Sequence, residues 1–241
     1  MVSSVGTTTS STSLLSQAIS AAKSNAATNY SAASNATTSS SSLSSLGGNF
    51  NQFLTLLTTQ LQHQDPSNPT STDSFTAELA QFAGVQQQVE TNTNLASLIS
   101  ATQDNQMASA VSLIGKTTTA STSSLPLQNG VASLSFTAPQ TGEVAIAITD
   151  NKGTVVRSQT VDASVGTNTW TWDGKNNAGA QLSDGGYTVA VEGNSTDGTS
   201  VVLPTTVTGT VTGVSKGNSG VNIDMGGATI SMSDLTRFSG T

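Results

Sequence analysis

The stretch that decides the fold is residues 169–191, TWTWDGKNNAGAQLSDGGYTVAV. Both of its ends alternate large side chains with small or polar ones, which is the period-two pattern of β-strands. Between them, Asp173-Gly174 and Asp184-Gly185-Gly186 supply residues that tolerate a positive φ, as tight turns require. The stretch therefore predicts short strands separated by tight turns.

The same pattern continues upstream of this stretch. Val144, Ile146 and Ile148 alternate with small residues, and the run ends at a turn signal, residues 150–153, before another alternating run over residues 155–161. Several short strands at this spacing are typical of a β-sandwich. We expect a small sandwich over residues 129–197.

Downstream of residue 194 the chain shows four more short apolar runs with glycine-rich turns between them. They are residues 201–203, 207–214, 221–225 and 228–232. Short, bent strands with frequent glycine suit a small β-barrel. Residues 113–117, LIGKT, precede the sandwich and have no obvious partner strand inside it.

Before the strands, apolar residues recur at steps of three, four and seven. This spacing predicts a long amphipathic helix over residues 73–100. Gln86 and Thr93 interrupt its apolar seam, and Gly84 weakens the helix by about 1 kcal/mol relative to alanine. The pattern favours a helix that packs on a partner or on its own copies, with a core helix of one globular domain as the alternative. The apolar stripe that forms the candidate assembly interface is Phe75, Leu79, Phe82, Val85 and Val89.

Residues 53–82, FLTLLTTQLQHQDPSNPTSTDSFTAELAQF, contain a second apolar cluster followed by a breaker. Asn49 is a candidate cap for a short helix through Gln64, and Asp65-Pro66 ends it because a residue before proline is disfavoured in the α region.

This order of residues resembles the N-terminal signature of the flagellar hook-capping family, a family of hook-assembly scaffolds. That signature is an aromatic-led apolar cluster, then Q-L-x-x-Q-D-P-x-N-P, then a phenylalanine and an L-A-Q-F run. The matching residues here are Phe53, Gln60-Leu61, Gln64-Asp65-Pro66, Asn68-Pro69, Phe75 and Leu79-Ala80-Gln81-Phe82. The L-I-G-K-T segment, the W-D-G run with its Y-T-V end and the closing S-D-L also look like family motifs.

The resemblance implies a fold that is mainly β with a disordered N-terminus and an N-terminal helical segment. An immunoglobulin- or fibronectin-III-like sandwich, residues 129–197, would be inserted into a tudor-like small β-barrel built from residues 111–128 and 198–241. Residues 51–110 would be a helical cap and assembly segment.

The resemblance also implies a function. The chain would be exported by the flagellar type III pathway and would form a homo-oligomeric cap at the distal end of the rod and hook, where it promotes assembly of the hook subunit. Phe53 and Leu57 would be recognised by the export gate. The alternative for this pair is a hydrophobic staple of the local helix.

The first fifty residues are dominated by Ser, Thr, Ala and Asn, and Lys23 is the only charged side chain before Asp65. Such a tract has too little apolar surface to offset the chain entropy lost on ordering, so we expect residues 1–50 to be disordered. The small apolar cluster Leu14, Leu15 and Ile19 would form at most a fleeting helical turn.

Charge and composition exclude several functions. The net charge of the 241-residue chain is −7, and its seven basic residues are scattered, whereas duplex nucleic-acid binding needs clustered Lys or Arg. There is no cysteine, so disulfides, thiol catalysis and zinc–thiolate sites are excluded. No stretch reads as a cleavable signal or as a membrane-spanning segment of roughly 20 apolar residues.

Catalytic and metal-binding patterns are also weak. His63 is the only histidine, and the acidic residues are nearly all isolated, so we expect no catalytic site, metal or cofactor. The loop that begins at Asp173 differs from a calcium loop because Lys175 occupies its third position and no glutamate closes it. We expect Trp170 and Trp172 to pack in the sandwich core, with an exposed binding hot spot as the alternative. Two rival functions remain: a secreted surface-binding module with an immunoglobulin-like domain, and an accessory domain of a hydrolase.

Overall fold

The computed structural model describes residues 11–32, 72–217 and 220–239. Within these residues two α-helices come first, α1 (Ser11–Ala32) and α2 (Thr72–Ala110), and a short 3-10 helix, Val111–Leu113, follows. Thirteen strands then follow, with a second 3-10 helix, Met232–Asp234, before the last of them. The strands are β1 (Thr117–Ser121), β2 (Ser124–Leu127), β3 (Ala132–Ala138), β4 (Gly142–Thr149), β5 (Val155–Ala163), β6 (Gly166–Trp172), β7 (Gly185–Asn194), β8 (Ser200–Val202), β9 (Thr205–Thr210), β10 (Gly213–Lys216), β11 (Val221–Met225), β12 (Ala228–Ser231) and β13 (Leu235–Ser239).

The strands form three antiparallel sheets. One has the order β13-β1-β9-β3-β6, the second has the order β2-β7-β4-β5 with β8 also paired to β7, and the third is the meander β10-β11-β12. Residues 1–34 and 105–241 form one structural unit and residues 35–104 form another. The prediction of a mainly β chain with an N-terminal helical segment is confirmed.

The residues that the alternating pattern marked as inward do form the core. Val144, Ile146 and Ile148 of β4 and Val189 and Val191 of β7 are each at most 3% exposed. They pack in one cluster with residues of the first and third sheets, among them Leu134, Phe136, Val207, Ile223 and Ile230. Their small neighbours on β4 and β7 point to the opposite face of the sheet, as the two-residue period requires.

The stretch that follows β6 is a hydrogen-bonded turn region anchored on Trp172. This side chain is 1% exposed, and its Nε1 donates to the carbonyl oxygen of Lys175 at 2.9 Å. Its ring meets that of Tyr187 edge-on, with ring centroids 5.0 Å apart. The Tyr187 hydroxyl donates back to the Ser183 carbonyl oxygen at 2.8 Å. The prediction that Trp172 and Trp170 are core residues is confirmed, since Trp170 is partly buried against the same cluster.

The carboxylate of Asp184 holds this region to a neighbouring hairpin. It accepts hydrogen bonds from the backbone N–H groups of Asn129 at 2.7 Å and Gly130 at 2.8 Å. Asn129 and Gly130 both have positive φ, 53° and 74°, the conformation of a two-residue type I′ turn. A single acidic side chain therefore links the β6–β7 connection to the turn between β2 and β3.

Strand β1 lies between two strands that come much later in the chain, β9 and β13. It pairs with β9, Thr117 opposite Thr210, and with β13, Thr117 opposite Ser239. Gly115, in the L-I-G-K-T segment, has a φ of 85° and donates its N–H to the Val211 carbonyl oxygen at 2.9 Å. Residues 113–117, for which the sequence shows no partner strand inside the sandwich, are thus paired with the C-terminal strands. The tudor-like geometry of that region stays a prediction.

Helix α2 is longer than predicted at its C-terminal end. The apolar spacing predicts a helix over residues 73–100, and the structure continues it to Ala110. Residues 101–110 contain no proline or glycine and include several good helix formers, so nothing in the sequence ends the helix earlier. Ala110 is fully buried and Met107 packs against the main core, so the last turns of α2 are anchored to the strands.

The disorder expected for residues 1–50 does not hold for Ser11–Ala32, which form α1. Leu14, Ala18, Ala22 and Ala26 recur every four residues and are all at most 5% exposed. Leu14, Ala18 and Ala22 pack on Ala145, Ala147 and Ala190, the small side chains on the outer face of β4 and β7. A Ser/Thr/Asn-rich helix is weak alone, but tertiary packing of one face stabilises it. Burial of Leu14 contributes about 2 kcal/mol.

Candidate assembly surface

Helix α2 provides the longest exposed surface among the described residues. Its 39 residues extend over ~58 Å at 1.5 Å per residue. Almost all side chains described between Ala80 and Ser109 are exposed. Only two of them carry a charge, Glu90 and Asp104, so the surface is mostly neutral and polar with apolar residues between.

The five residues of the predicted interface share one face of α2. At 100° per residue, Phe75, Leu79, Phe82, Val85 and Val89 fall within an arc of roughly 120°. The side chains of the first three lie outside the described residues. Val85 is 42% exposed and Val89 is half-buried. The role of this stripe in assembly stays a prediction.

A second apolar patch lies further along α2. Leu95, Leu98 and Ile99 have i, i+3 and i+4 spacing and are 51%, 64% and 58% exposed. The patch centre lies roughly 150° around the helix from the centre of the predicted stripe. The predicted stripe ends at Val89 and contains none of these three residues. The i, i+3, i+4 spacing of these residues was a readable signal in the sequence. However, their positions do not lie on the helix face that begins at Phe75. Three exposed, adjacent apolar side chains on one helix face usually mark an interaction site.

The proposed export pair, Phe53 and Leu57, lies outside the described residues, as does His63. The short helix predicted between Asn49 and Gln64 lies there too. The assignment of Phe53 and Leu57 to export therefore stays a prediction.

The rest of the described chain offers little for chemistry. Residues 11–32, 72–217 and 220–239 hold no group of His, Asp or Glu side chains that could bind a metal ion. A cavity of about 20 Å³ lies beside Asn194, and a shallow groove of about 270 Å³ runs past Asn25, Ala190 and Pro204. In the described part of the chain, no helix is long and apolar enough to cross a membrane.

Three ionisable groups have shifted pKa values, and each shift has a local structural cause. Burial, helped by the charges of Asp150 and Asp184, raises the pKa of Tyr187. Burial also raises the pKa of Glu192, against a hydrogen bond from Ser200 that lowers it. The Thr199 hydroxyl and backbone N–H hold the pKa of Asp197 below its usual value. Glu192 and Asp197 bond to neighbouring hydroxyls and Tyr187 to a backbone carbonyl, as structural residues do.

Two family models match the chain. Residues 7–97 match the N-terminal region of the flagellar hook capping protein family, and residues 121–197 match the FlgD Ig-like domain. The first match contains α1 and most of α2, and the second contains the strands from β2 to β7.

The chain is also similar to individual FlgD proteins and to solved FlgD structures. The chain is 32% identical to the basal-body rod modification protein FlgD of Salmonella typhimurium over 186 residues, which is 73% of this chain and 80% of the relative. The FlgD of Escherichia coli K12 is 34% identical over 191 residues, with the same coverage. A crystal structure of FlgD from Xanthomonas campestris covers 56% of this chain and 99% of its own, at 26% identity and a TM-score of 0.46. One of FlgD from P. aeruginosa covers 53% of this chain and 98% of its own, at 23% identity and a TM-score of 0.45. With relatives above 30% identity aligned over four-fifths of their length, the chain belongs to the FlgD family of flagellar hook-capping, basal-body rod modification proteins.

Proposed function

We propose that this chain is a non-enzymatic scaffold that forms a homo-oligomeric cap at the distal end of the growing flagellar hook and promotes assembly of the hook subunit there. The observation that carries the proposal is the exposed apolar surface of α2. Val85 and Leu95 of that surface lie within the matched hook-capping region, residues 7–97, and Leu98 and Ile99 follow it directly.

The physical argument starts from solvation. Leu95, Leu98 and Ile99 keep more than half of their surface in water, and burial of one such side chain is worth about 1.5–3 kcal/mol. Monomeric proteins rarely expose a contiguous apolar patch unless it binds something. The absence of basic side chains on the described part of α2 leaves hydrophobic contact as its main means of association. A protein surface, a second cap subunit or a hook subunit, is the partner that fits it.

A gene deletion tests the function. Cells lacking the gene should carry rods without hooks, and hook subunits should appear as monomers in the medium. Expression of the wild-type chain from a plasmid should restore hooks, counted by electron microscopy of isolated basal bodies. Hooks of normal length and number in the deletion strain would contradict the proposal.

We further propose that the chain leaves the cytoplasm by the flagellar type III pathway and that Phe53 and Leu57 are read by the export gate. The two side chains are four residues apart, so a helical turn would place them on one face. The double substitution Phe53→Ala, Leu57→Ala should abolish secretion and leave thermal unfolding of the C-terminal strands unchanged. Thr55→Ala with Thr59→Ala, a polar pair at the same spacing, is the matched control. Normal secretion of the Phe53, Leu57 variant would remove this assignment without affecting the scaffold proposal.

A further inference from the structure

The outer face of β4 and β7 is a surface made to receive a helix. Its side chains Ala145, Ala147 and Ala190 are small and at most 2% exposed, and Thr149 and Thr188 continue the same face. We call these five residues the helix seat. Small side chains let a helix backbone approach a sheet closely, and Thr149 Oγ1 reaches the carbonyl oxygen of Ala22 at 3.4 Å.

Helix α1 occupies the seat and depends on it. Ten of its 22 residues are Ser, Thr or Asn, and neither its first turn nor its last turn carries a charge that would favour the helix dipole. Its buried stripe, Leu14, Ala18, Ala22 and Ala26, is mostly alanine, and Leu15 and Ile19 pack beside it only partly buried. At the rim, Ser11 Oγ donates to Glu143 Oε2 at 2.8 Å. The helix is therefore ordered by its docking in the seat.

The chain connection is long enough for α1 to reach the seat of another copy. Residues 33–71, a stretch of 39 residues, separate α1 from α2, and a chain of that length reaches at most about 130 Å. Every copy of the chain carries the same helix and the same seat. A neighbouring copy therefore offers α1 contacts identical to those it makes in its own chain, and only the chain connection distinguishes the two.

We propose that α1 is exchanged between copies, so that in the oligomer the α1 helix of one copy docks in the helix seat of its neighbour. The exchange rests on the proposed homo-oligomeric cap. It would link neighbouring cap subunits through the sandwich as well as through α2. Every surface that the exchange uses is already present in a single chain. Exchange of an identical element is a low-cost route to association because no new interface has to be built.

Because the chain contains no cysteine, a pair of introduced cysteines directs a thiol cross-linker to the two chosen positions. Ser11→Cys is introduced in one full-length chain and Glu143→Cys in another, differently tagged chain, and the mixture is treated with a short bis-maleimide over a range of concentrations. Exchange predicts a mixed cross-linked dimer whose yield rises with the oligomer measured by light scattering. A single chain carrying both substitutions reports docking within the chain.

The control is a pair of substitutions on adjacent residues of α1. Ala18→Asp, at a fully buried position, should lower the mixed dimer yield by about tenfold or more, whereas Gln17→Asp, at an exposed position, should leave it unchanged. Oligomers that give only cross-links within one chain would overturn the exchange and leave the cap proposal standing. A chain that stays monomeric at every concentration would overturn the homo-oligomeric cap and the exchange with it.

Discussion

The backbone of Gly186 in β7 lies directly against the carbonyl oxygen of Gly227, in the turn between β11 and β12. A Cβ built on Gly186 would stand 2.5 Å from that oxygen and 2.9 Å from the Cα of Ala228. Because the neighbours are backbone atoms and not the end of a flexible side chain, they cannot easily move away. The absence of a side chain at Gly186 thus sets how closely β7 of the sandwich and the third sheet approach each other.

Gly186→Ala should therefore destabilise the strand region. Forcing an extra carbon into a packed contact typically costs about 1–3 kcal/mol. Gly185→Ala is the matched control, since a Cβ there would have no heavy atom within 4 Å. Urea unfolding followed by tryptophan fluorescence should show a lower midpoint for Gly186→Ala only. Equal midpoints for the two variants would show that the contact relaxes at no cost.

Glu192 predicts a pH dependence of stability. The residue is 4% exposed, and burial raises its pKa in the folded state above the ordinary value of 4.5. Folding then favours the protonated carboxyl. The contribution of protonated Glu192 to the free energy of unfolding is therefore complete below pH 4.5, and it is lost as the pH rises through the folded-state pKa. The ionised group opposes folding at neutral pH.

Glu192→Gln should consequently raise the free energy of unfolding at pH 7 relative to the wild type. The difference should shrink as the pH falls towards 4. Urea unfolding at pH 7 and at pH 4 measures this difference in the free energy of unfolding. Glu143→Gln, at an exposed position, is the control for a change of net charge. A Gln variant that is less stable at pH 7 would show that the Ser200 hydrogen bond outweighs burial.

Docking of α1 should govern proteolysis at its one basic residue. Lys23 is the only Lys or Arg before Lys116, and it sits in the middle of α1. Trypsin needs a locally unfolded chain, so cleavage after Lys23 reports undocking of the helix. Ala18→Asp, which places a charge at a buried position, should speed this cleavage by about tenfold or more, and Gln17→Asp should not.

Cleavage is followed by mass spectrometry at a low protease ratio. Rapid cleavage of the wild type at Lys23, unchanged by Ala18→Asp, would show that α1 does not dock in solution.

The strands could be predicted from the sequence because their signal is local. Alternation at Val144, Ile146 and Ile148 marks the inward face, and Gly174, with a φ of 68°, marks a turn. The turn expected at Gly185 and Gly186 is wrong, because both residues lie in β7 and neither has a positive φ. The motifs at residues 53–82 and 172–189 identified the family, and the comparisons confirm it.

Helix α1 could not be predicted because its apolar face is almost all alanine. Ala18, Ala22 and Ala26 carry little hydrophobic signal, and the seat that orders them, Ala145, Ala147 and Ala190, lies more than a hundred residues away. The same holds for the contact between Gly186 and Gly227, which exists only once the second and third sheets have come together. On α2, the patch at Leu95 and Leu98 was readable from spacing, but only the structure shows that these side chains are exposed.

The central claim is that the apolar surface of α2 serves assembly and not folding. Leu98→Glu changes its most exposed described apolar residue, and Ser97→Glu adds the same charge at the neighbouring exposed position. Hooks per cell are counted in the deletion strain expressing each variant, and the unfolding midpoint of each purified protein is measured in parallel. We predict a fall of about tenfold or more in hooks for Leu98→Glu, with the midpoint of both variants unchanged, since loss of one large buried apolar contact is worth about 1.5–3 kcal/mol. Normal hooks with Leu98→Glu, or a large fall in its midpoint, would contradict the account.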